Sequence, residues 1–468
     1  MKEFITRFNN IKYYIIIAFI VLFVASSLRH ILFSSTAYDL GIFDNGIYLI
    51  SQGKNPYVSF RELHILGDHA GWILYLIAPL YFIFPSVYWL FILQAFALAI
   101  AILPIWHIAK FMDLTDSKAR SVCLIYILYP LIFNVNLFDF HPEVIAVPLF
   151  FTAILAVRLN KIYWFIASII LILGCKAVLA LNVMMMGVWL IIFHHKKRYG
   201  IIATFSGIFW FIIATQLIIP AFSGEEAAAV SRYGFLGDSV GEILVNLILK
   251  PQVILSYLFT SANLEYLVLL FIPVIPALAW QELTNLIPAI PAIFLNLLTD
   301  YQPQKDLIHQ YSLPIIPFLI LTVINSLANH RTWFYKSSQI RIWSIIAFLV
   351  LAKYVYFFPD SIYTKNLSTW QSTNEAINLI DKKASVLTAA QIVPHLTHRD
   401  VIFLATDDFS YDKVNDLDYI LLNLDNPGFG ASQEKIKELF NFLKTKENFK
   451  LIHEKDQIFL FQKLTPNN

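Results

Sequence analysis

The sequence predicts a polytopic α-helical membrane protein of about eleven spans followed by a small C-terminal α/β domain. Three observations predict it. Of the 468 residues, 58% are hydrophobic and only 14% are charged, against about 25% charged in an ordinary soluble domain. Apolar runs of near-spanning length recur from residue 13 to residue 358. Near residue 359 the runs shorten and charge rises.

The first element follows Lys2, Arg7 and Lys12, and its apolar run is longer than a signal peptide requires, so it reads as a retained span. Candidate spans cover 13–33, 87–109, 121–137, 143–158, 161–174, 177–194, 200–220, 264–279, 283–298, 311–328 and 340–358. Residues 70–84, which run into Pro85, are too short to cross and read as an interfacial or re-entrant helix, as does 252–262.

Basic residues set the expected orientation. With the N-terminus inside, the inner loops hold Lys110, Lys118, Arg120, Arg158, Lys161, Lys196, Lys197, Arg198, Arg331, Lys336 and Arg341. The outer loops hold only Lys54, Arg61, Lys176, Arg232, Lys250 and Lys305. This places 34–69, 138–142, 221–251 and 299–310 outside. An odd span count also puts residues 360–468 outside. There "ASVLTAA", "VIFLAT" and "YILLNL" read as buried strands, "SQEKIKELFNFLKTKE" as an amphipathic helix and "FKLIHEKDQIFLFQKL" as a terminal hairpin.

The composition excludes several classes. A net charge of +2 gives no case for nucleic-acid binding. Cys123 and Cys175 both lie in apolar segments and make no disulfide framework. The span centres hold almost no ionisable residues, which argues against a proton relay or ion-coupled transporter. The acids instead gather at the outer ends: Asp39, Asp44, Glu62, Asp68, Asp139, Glu143, Glu225, Glu226, Asp238, Asp300 and Asp306. His64, His69, His141 and His309 sit among them.

Three clusters stand out. In "YDLGIFDNG", Asp39 suits either a helix N-cap or a catalytic acid. Asp44 lies five positions on, about 140° around a helix, so the two do not make an acid/base couple by themselves. In "HILGDHAG", Asp68 and His69 are either a solvated surface pair or a functional one. In "LFDFHPEV", Asp139, His141 and Glu143 suit phosphate or hydroxyl binding. A proline-started helix with Glu143 in its first turn is the structural alternative. The ligand types there also suit a divalent metal, but no fixed zinc pattern is present and no cofactor is predicted. Farther on, Lys305, His309 and Tyr311 suit an anionic group.

"YDLGIFDNGIYL", "GDHAGWILYLIAPLYFIFP", "FDFHPEVIAVPL", "HQYSLPIIPFL" and "VPHLTHR" together resemble the bacterial membrane family called domain of unknown function 2079, over nearly the whole chain and in matching order. That family resembles a branch of the GT-C glycosyltransferases, polytopic enzymes that use polyprenyl-phosphate-linked sugars on the outer membrane face. The resemblance implies a GT-C-like fold and a sugar transfer from such a lipid donor to an acceptor. It puts Asp39 at the catalytic-acid position, with Asp139 and Glu143 from the second outer loop. Asp44, Asp68, His69, His141, Lys176, Lys305 and His309 would bind substrate. It also implies a Lys-Glu-Asp run where this chain reads Lys176, Ala177 and Val178. Two other functions suit the same residues: a non-catalytic binder or translocator of lipid-linked glycan, and an envelope assembly partner.

Overall fold

The computed structural model describes residues 2–225 and 228–464, with side chains from 11 to 225 and from 229 to 464. Glu226 lies outside the described residues, and the side chains of Lys2 and Arg7 are not described. The chain packs as two units. One holds Met1–Val24, Leu66–Ile73 and Phe91–Lys353; the other holds Ala25–Ile65, Leu74–Leu90 and Tyr354–Asn468.

Among the described residues, five helical stretches are long and apolar enough to cross a membrane: Ile11–Ile31, Tyr88–Phe111, Asp116–Leu137, Lys197–Ser223 and Gln302–Ala328. A sixth arises if Val240–Leu249 and Pro251–Leu258, bent by 93°, count as one span. The expected spans at 161–174, 177–194, 264–279 and 340–358 correspond to shorter apolar helices, Ile162–Cys175, Leu179–Ile192, Ser261–Phe271 and Ser337–Leu351. Proline is one reason for the interruptions, because it removes a backbone donor and clashes with the preceding turn. Pro288 lies in a 3₁₀ stretch, Trp280–Ala289, that interrupts the expected span at 283–298 before the helix Ile290–Leu298. Pro314 lies in another, Gln310–Ile315.

Backbone carbonyls freed by such breaks need donors wherever water is absent. In the first unit, neutral amide side chains supply them. Asn134 Nδ2 donates to the carbonyls of Leu307 at 2.7 Å and Leu351 at 3.2 Å, while its Oδ1 accepts from the Lys353 N–H. Asn263 donates to Tyr257, Leu258 and Leu297 carbonyls and Asn182 to Pro288, while Asn136 donates to the Leu22 carbonyl inside an unbroken helix. All four asparagines are buried. Amides meet this demand without bringing charge into the interior, where an ion costs several kcal/mol.

The second unit is built on β-sheet. A short hairpin pairs β1 (Tyr57–Val58) with β2 (Leu63–His64). The main sheet holds β3 (Val386–Thr388), β4 (Ile402–Leu404), β5 (Tyr419–Asn423), β6 (Phe449–Lys455) and β7 (Ile458–Lys463), in the order β4-β3-β5-β7-β6. β3 pairs in parallel with β4 and β5, and β7 runs antiparallel to β5 and β6. These strands and the helix Gln433–Lys444 match the elements expected from sequence. Side chains alternate between two covered faces. Leu387, Ile420 and Leu422 face Ile436, Leu439 and Leu443 of that helix. Val386, Tyr419 and Leu421 join a core with Phe33, Ala37, Ile42, Val58 and Phe60. Cover on both faces explains why β5 is apolar at every position but its last.

In the first unit, Leu179–Ile192 and Lys197–Ile213 pack most closely. A Cβ on Gly207 would lie 2.6 Å from the Ala180 carbonyl oxygen and 2.7 Å from the Met184 nitrogen, both backbone atoms. Small residues permit such backbone approach between membrane helices. Gly207→Leu is therefore expected to destabilise the purified protein by about 1–3 kcal/mol, as overpacking does, measured as a lowered unfolding midpoint in detergent. Unchanged stability would mean that the helices do not pack this closely.

Candidate functional site

In the first unit, the polar residues of "LFDFHPEV", "GDH" and "GCK" converge. The helix Pro130–Leu137 ends and the chain turns through Phe138–Pro142 before the helix Glu143–Arg158. Asp139 in this turn is buried and has φ of 104°. A non-glycine residue there is sterically strained, a state that persists only where surroundings enforce it. His141 Nδ1 lies 3.4 Å from the Asp139 carbonyl oxygen, and its ring stacks on Phe138. The His309 ring meets Phe138 edge-on, with centroids 4.2 Å apart. His309 Nδ1 is held by Asp306 Oδ2 at 2.7 Å. Asp306 Oδ1 accepts the Ile308 and His309 backbone N–H groups.

Glu143 occupies the first turn of its helix, as the structural reading expected, but it also has a specific partner. Lys176 Nζ donates to Glu143 Oε1 at 2.6 Å. Both side chains are almost wholly buried, 4% exposed for Glu143 and 11% for Lys176. Lys176 can reach it because it stands in the extended break between Ile162–Cys175 and Leu179–Ile192. Burial pushes its ammonium down, but Glu143, Tyr311 and Asp68 outweigh that and hold its pKa above the usual lysine value. The second oxygen of Glu143, Oε2, is buried with no hydrogen-bond partner among the described residues. The Tyr311 ring lies 5.7 Å from Lys176 Nζ.

His69 Nε2 is 3.4 Å from Asp68 Oδ2, and its carbonyl accepts the Ala177 N–H at 3.0 Å. Burial lowers its pKa, assisted by Lys176 and opposed by Asp68 and Glu143. The imidazole is therefore a neutral hydrogen-bonding group near pH 7. Ala177, where the resemblance implies an acid, packs in an apolar cluster with Ala70, Ala214 and Ile219. An acid there would lack solvation; the carboxylate for Lys176 comes instead from Glu143, 33 positions away in sequence. Lys305 is buried on the later loop. Among the described residues, no group of three His, Cys, Asp or Glu side chains is arranged to hold a metal ion.

Asp39 and Asp44 belong to the second unit. Asp39 is not the N-cap. It lies inside the wide turn Ala37–Gly41, preceded by Thr36 in extended conformation, and its Oδ2 accepts from Thr36 Oγ1 at 3.0 Å. The helix Ile42–Ser51 continues from that turn without a break, which carries Asp44 to a different face. Asp44 is fully buried. Its Oδ1 accepts from the Tyr81 hydroxyl at 2.5 Å and its Oδ2 from the Thr397 hydroxyl. His398 Nε2 lies 3.2 Å from Oδ2, at ion-pair distance but off the line of a full hydrogen bond.

Sequence reasoning did not select Tyr81, Thr397 or His398. The available signal was the polar triple Thr397-His398-Arg399 ending "VPHLTHR", a segment whose other residues pack as core. Nothing local in the sequence pairs it with Asp44.

Comparison with known proteins completes the picture. No curated protein matches the chain. Among the solved structures that share its fold are ArnT from Cupriavidus metallidurans bound to undecaprenyl phosphate and the same protein in the apo state. The first matches at 10% identity and TM-score 0.55 over 98% of both chains, the second at 10% and 0.53 over 97% of this chain and 98% of that one. The fold is therefore the GT-C-like helical membrane architecture that the sequence resembles. A family model described as "Predicted membrane protein (DUF2079)" matches residues 29–460, and the chain belongs to that family.

Proposed function

We propose that this protein is a membrane glycosyltransferase that moves a sugar from a polyprenyl-phosphate-linked donor to an acceptor on the extracytoplasmic face. The observation that carries this reading is likeness in fold, over nearly the whole chain, to a protein solved with undecaprenyl phosphate. The chain would lie in the bacterial cytoplasmic membrane with its N-terminus cytoplasmic and its C-terminal sheet outside, as the basic residues of its loops suggest.

In this reading Asp39 takes the proton of the acceptor group. The acceptor atom attacks the anomeric carbon as the bond from that carbon to the lipid phosphate oxygen breaks, and the lipid phosphate departs. Lys176 stays cationic, and its remaining N–H bonds can stabilise the departing phosphate. His69 supplies a neutral hydrogen bond there, and Lys305 a second cation. Glu143, with one oxygen on Lys176 and the other unpartnered, and the strained Asp139 are suited to bind hydroxyls of the sugar or acceptor. Asp68, His141 and His309 orient these groups, and Asp44 supports the turn that carries Asp39. The acceptor, a glycan, lipid or protein, is not specified by these residues.

General-base help is worth roughly 10² to 10⁴ in rate. Asp39→Asn is thus expected to lower transfer from a radiolabelled polyprenyl-phosphate sugar by that factor, with an unchanged unfolding midpoint. Full transfer by this variant would overturn the role of Asp39. Donor binding or translocation without any transfer by the native chain would instead identify a binder or translocator.

Lys176→Met leaves a buried carboxylate without its cation, which typically costs about 3–5 kcal/mol. The double variant Lys176→Met with Glu143→Leu is expected to regain most of that stability in detergent unfolding, yet to remain inactive. Recovered transfer in the double variant would remove both residues from the mechanism.

A further inference from the structure

The second unit contains a connection that the proposed transfer reaction does not by itself require. Residues 397–399 are tied to two adjacent residues of the helix Ile42–Ser51. Asn45 Nδ2 donates to the Thr397 carbonyl at 2.6 Å and the Arg399 carbonyl at 3.0 Å. Asp44 takes the Thr397 hydroxyl and the His398 imidazole. The His398 ring is held further by Tyr48, stacked at 4.9 Å, and by the edge of Tyr81 at 5.9 Å. Just upstream, a Cβ on Gly41 would meet Val393 at 3.3 Å, so the turn containing Asp39 also rests on this segment.

We propose that His398 and Asp44 form a charge-dependent clasp that positions the Asp39 turn, closed when the imidazole is protonated and loosened when it is neutral. His398 is a positioning residue here, acting through Asp44 and the unbroken turn of backbone to Asp39. This proposal rests on the reading of Asp39 as the group that takes the acceptor proton.

The electrostatics support a titrating clasp. The groups facing His398 are Asp44 and Tyr48 from the first-loop helix, Tyr81 from Ile73–Ile83, and Arg399 from its own segment, while His395 shares the charge of Asp44. Burial pushes the His398 pKa down, as does Arg399, but Asp44 outweighs both and holds it above the ordinary histidine value. His395 does not compete: burial drives it down to about 4, so it is neutral across the working range. Because the folded value of His398 is raised, its contribution is complete below the ordinary histidine pKa. That contribution disappears as pH rises through the folded value.

The test uses the full chain in nanodiscs, with amide hydrogen exchange of residues 37–51 measured at pH 5.5 and 8.5 and corrected for intrinsic rates. Losing the charge attraction of a close pair of this kind is expected to weaken protection by roughly ten- to a hundredfold. The native chain should show that loss at the higher pH. His398→Gln should exchange fast at both values, and His398→Lys, a cation at both, should stay protected. Sugar transfer should follow the same pattern, with an alkaline decline that His398→Gln lacks.

Native exchange that ignores pH, or the same pH dependence in His398→Gln, would overturn the clasp. Exchange reads the clasp without any substrate. A chain that shows the exchange pattern and transfers no sugar at either pH therefore keeps the clasp and refutes the transferase reading.

Discussion

The constraint on which the rest of this structure depends is that a polar group left without a partner in an interior shielded from water is costly. The helices of the first unit are repeatedly broken, and each break frees carbonyls. Asn134 closes two of them from positions far along the chain, and Asn263 closes three. Only one polar atom type is needed for this task, a neutral N–H donor on a short stem. That is why buried asparagines close these carbonyls.

In the same interior, Glu143 and Lys176 carry their charges as a matched pair. Glu143 and Lys176 meet at 2.6 Å where one helix begins and another has just ended. The break that exposes the Lys176 backbone also frees its side chain to turn inward. Pairing stabilises the ammonium, and the unshared Glu143 oxygen keeps the pair from being electrostatically closed. A site that is charged, buried and incompletely satisfied is suited to receive a polar substrate, and it is costly to maintain without one.

The second unit solves the opposite problem. Its sheet is covered on both faces, on one side by the helix Gln433–Lys444 and on the other by a core that includes the first loop. That second cover joins residues near the start of the chain to residues near its end. Asp44 is the polar centre of the joint, with Tyr81, Thr397 and His398 on one carboxylate. A loop anchored this way is no longer a free connection between spans. Its geometry is set by the folded state of the C-terminal sheet.

The sequence by itself determined the membrane class, the positions of the strands and the amphipathic helix, and the separation of Asp39 from Asp44. Each of these depends on local periodicity, and periodicity is written in adjacent residues. It also singled out Asp68, His69, Asp139, His141 and Glu143, because ionisable residues are conspicuous in so apolar a chain, and Lys176 through the family resemblance. The tertiary structure alone decided the pairing. It joined Lys176 to Glu143 and brought His398 to Asp44. It also divided some expected spans into shorter helices, where proline and buried asparagine together permit a break. The physical reason is common to all of these: a carboxylate or carbonyl is satisfied by whichever donor the packed helices bring within about 3 Å, and that distance is not encoded in neighbouring positions.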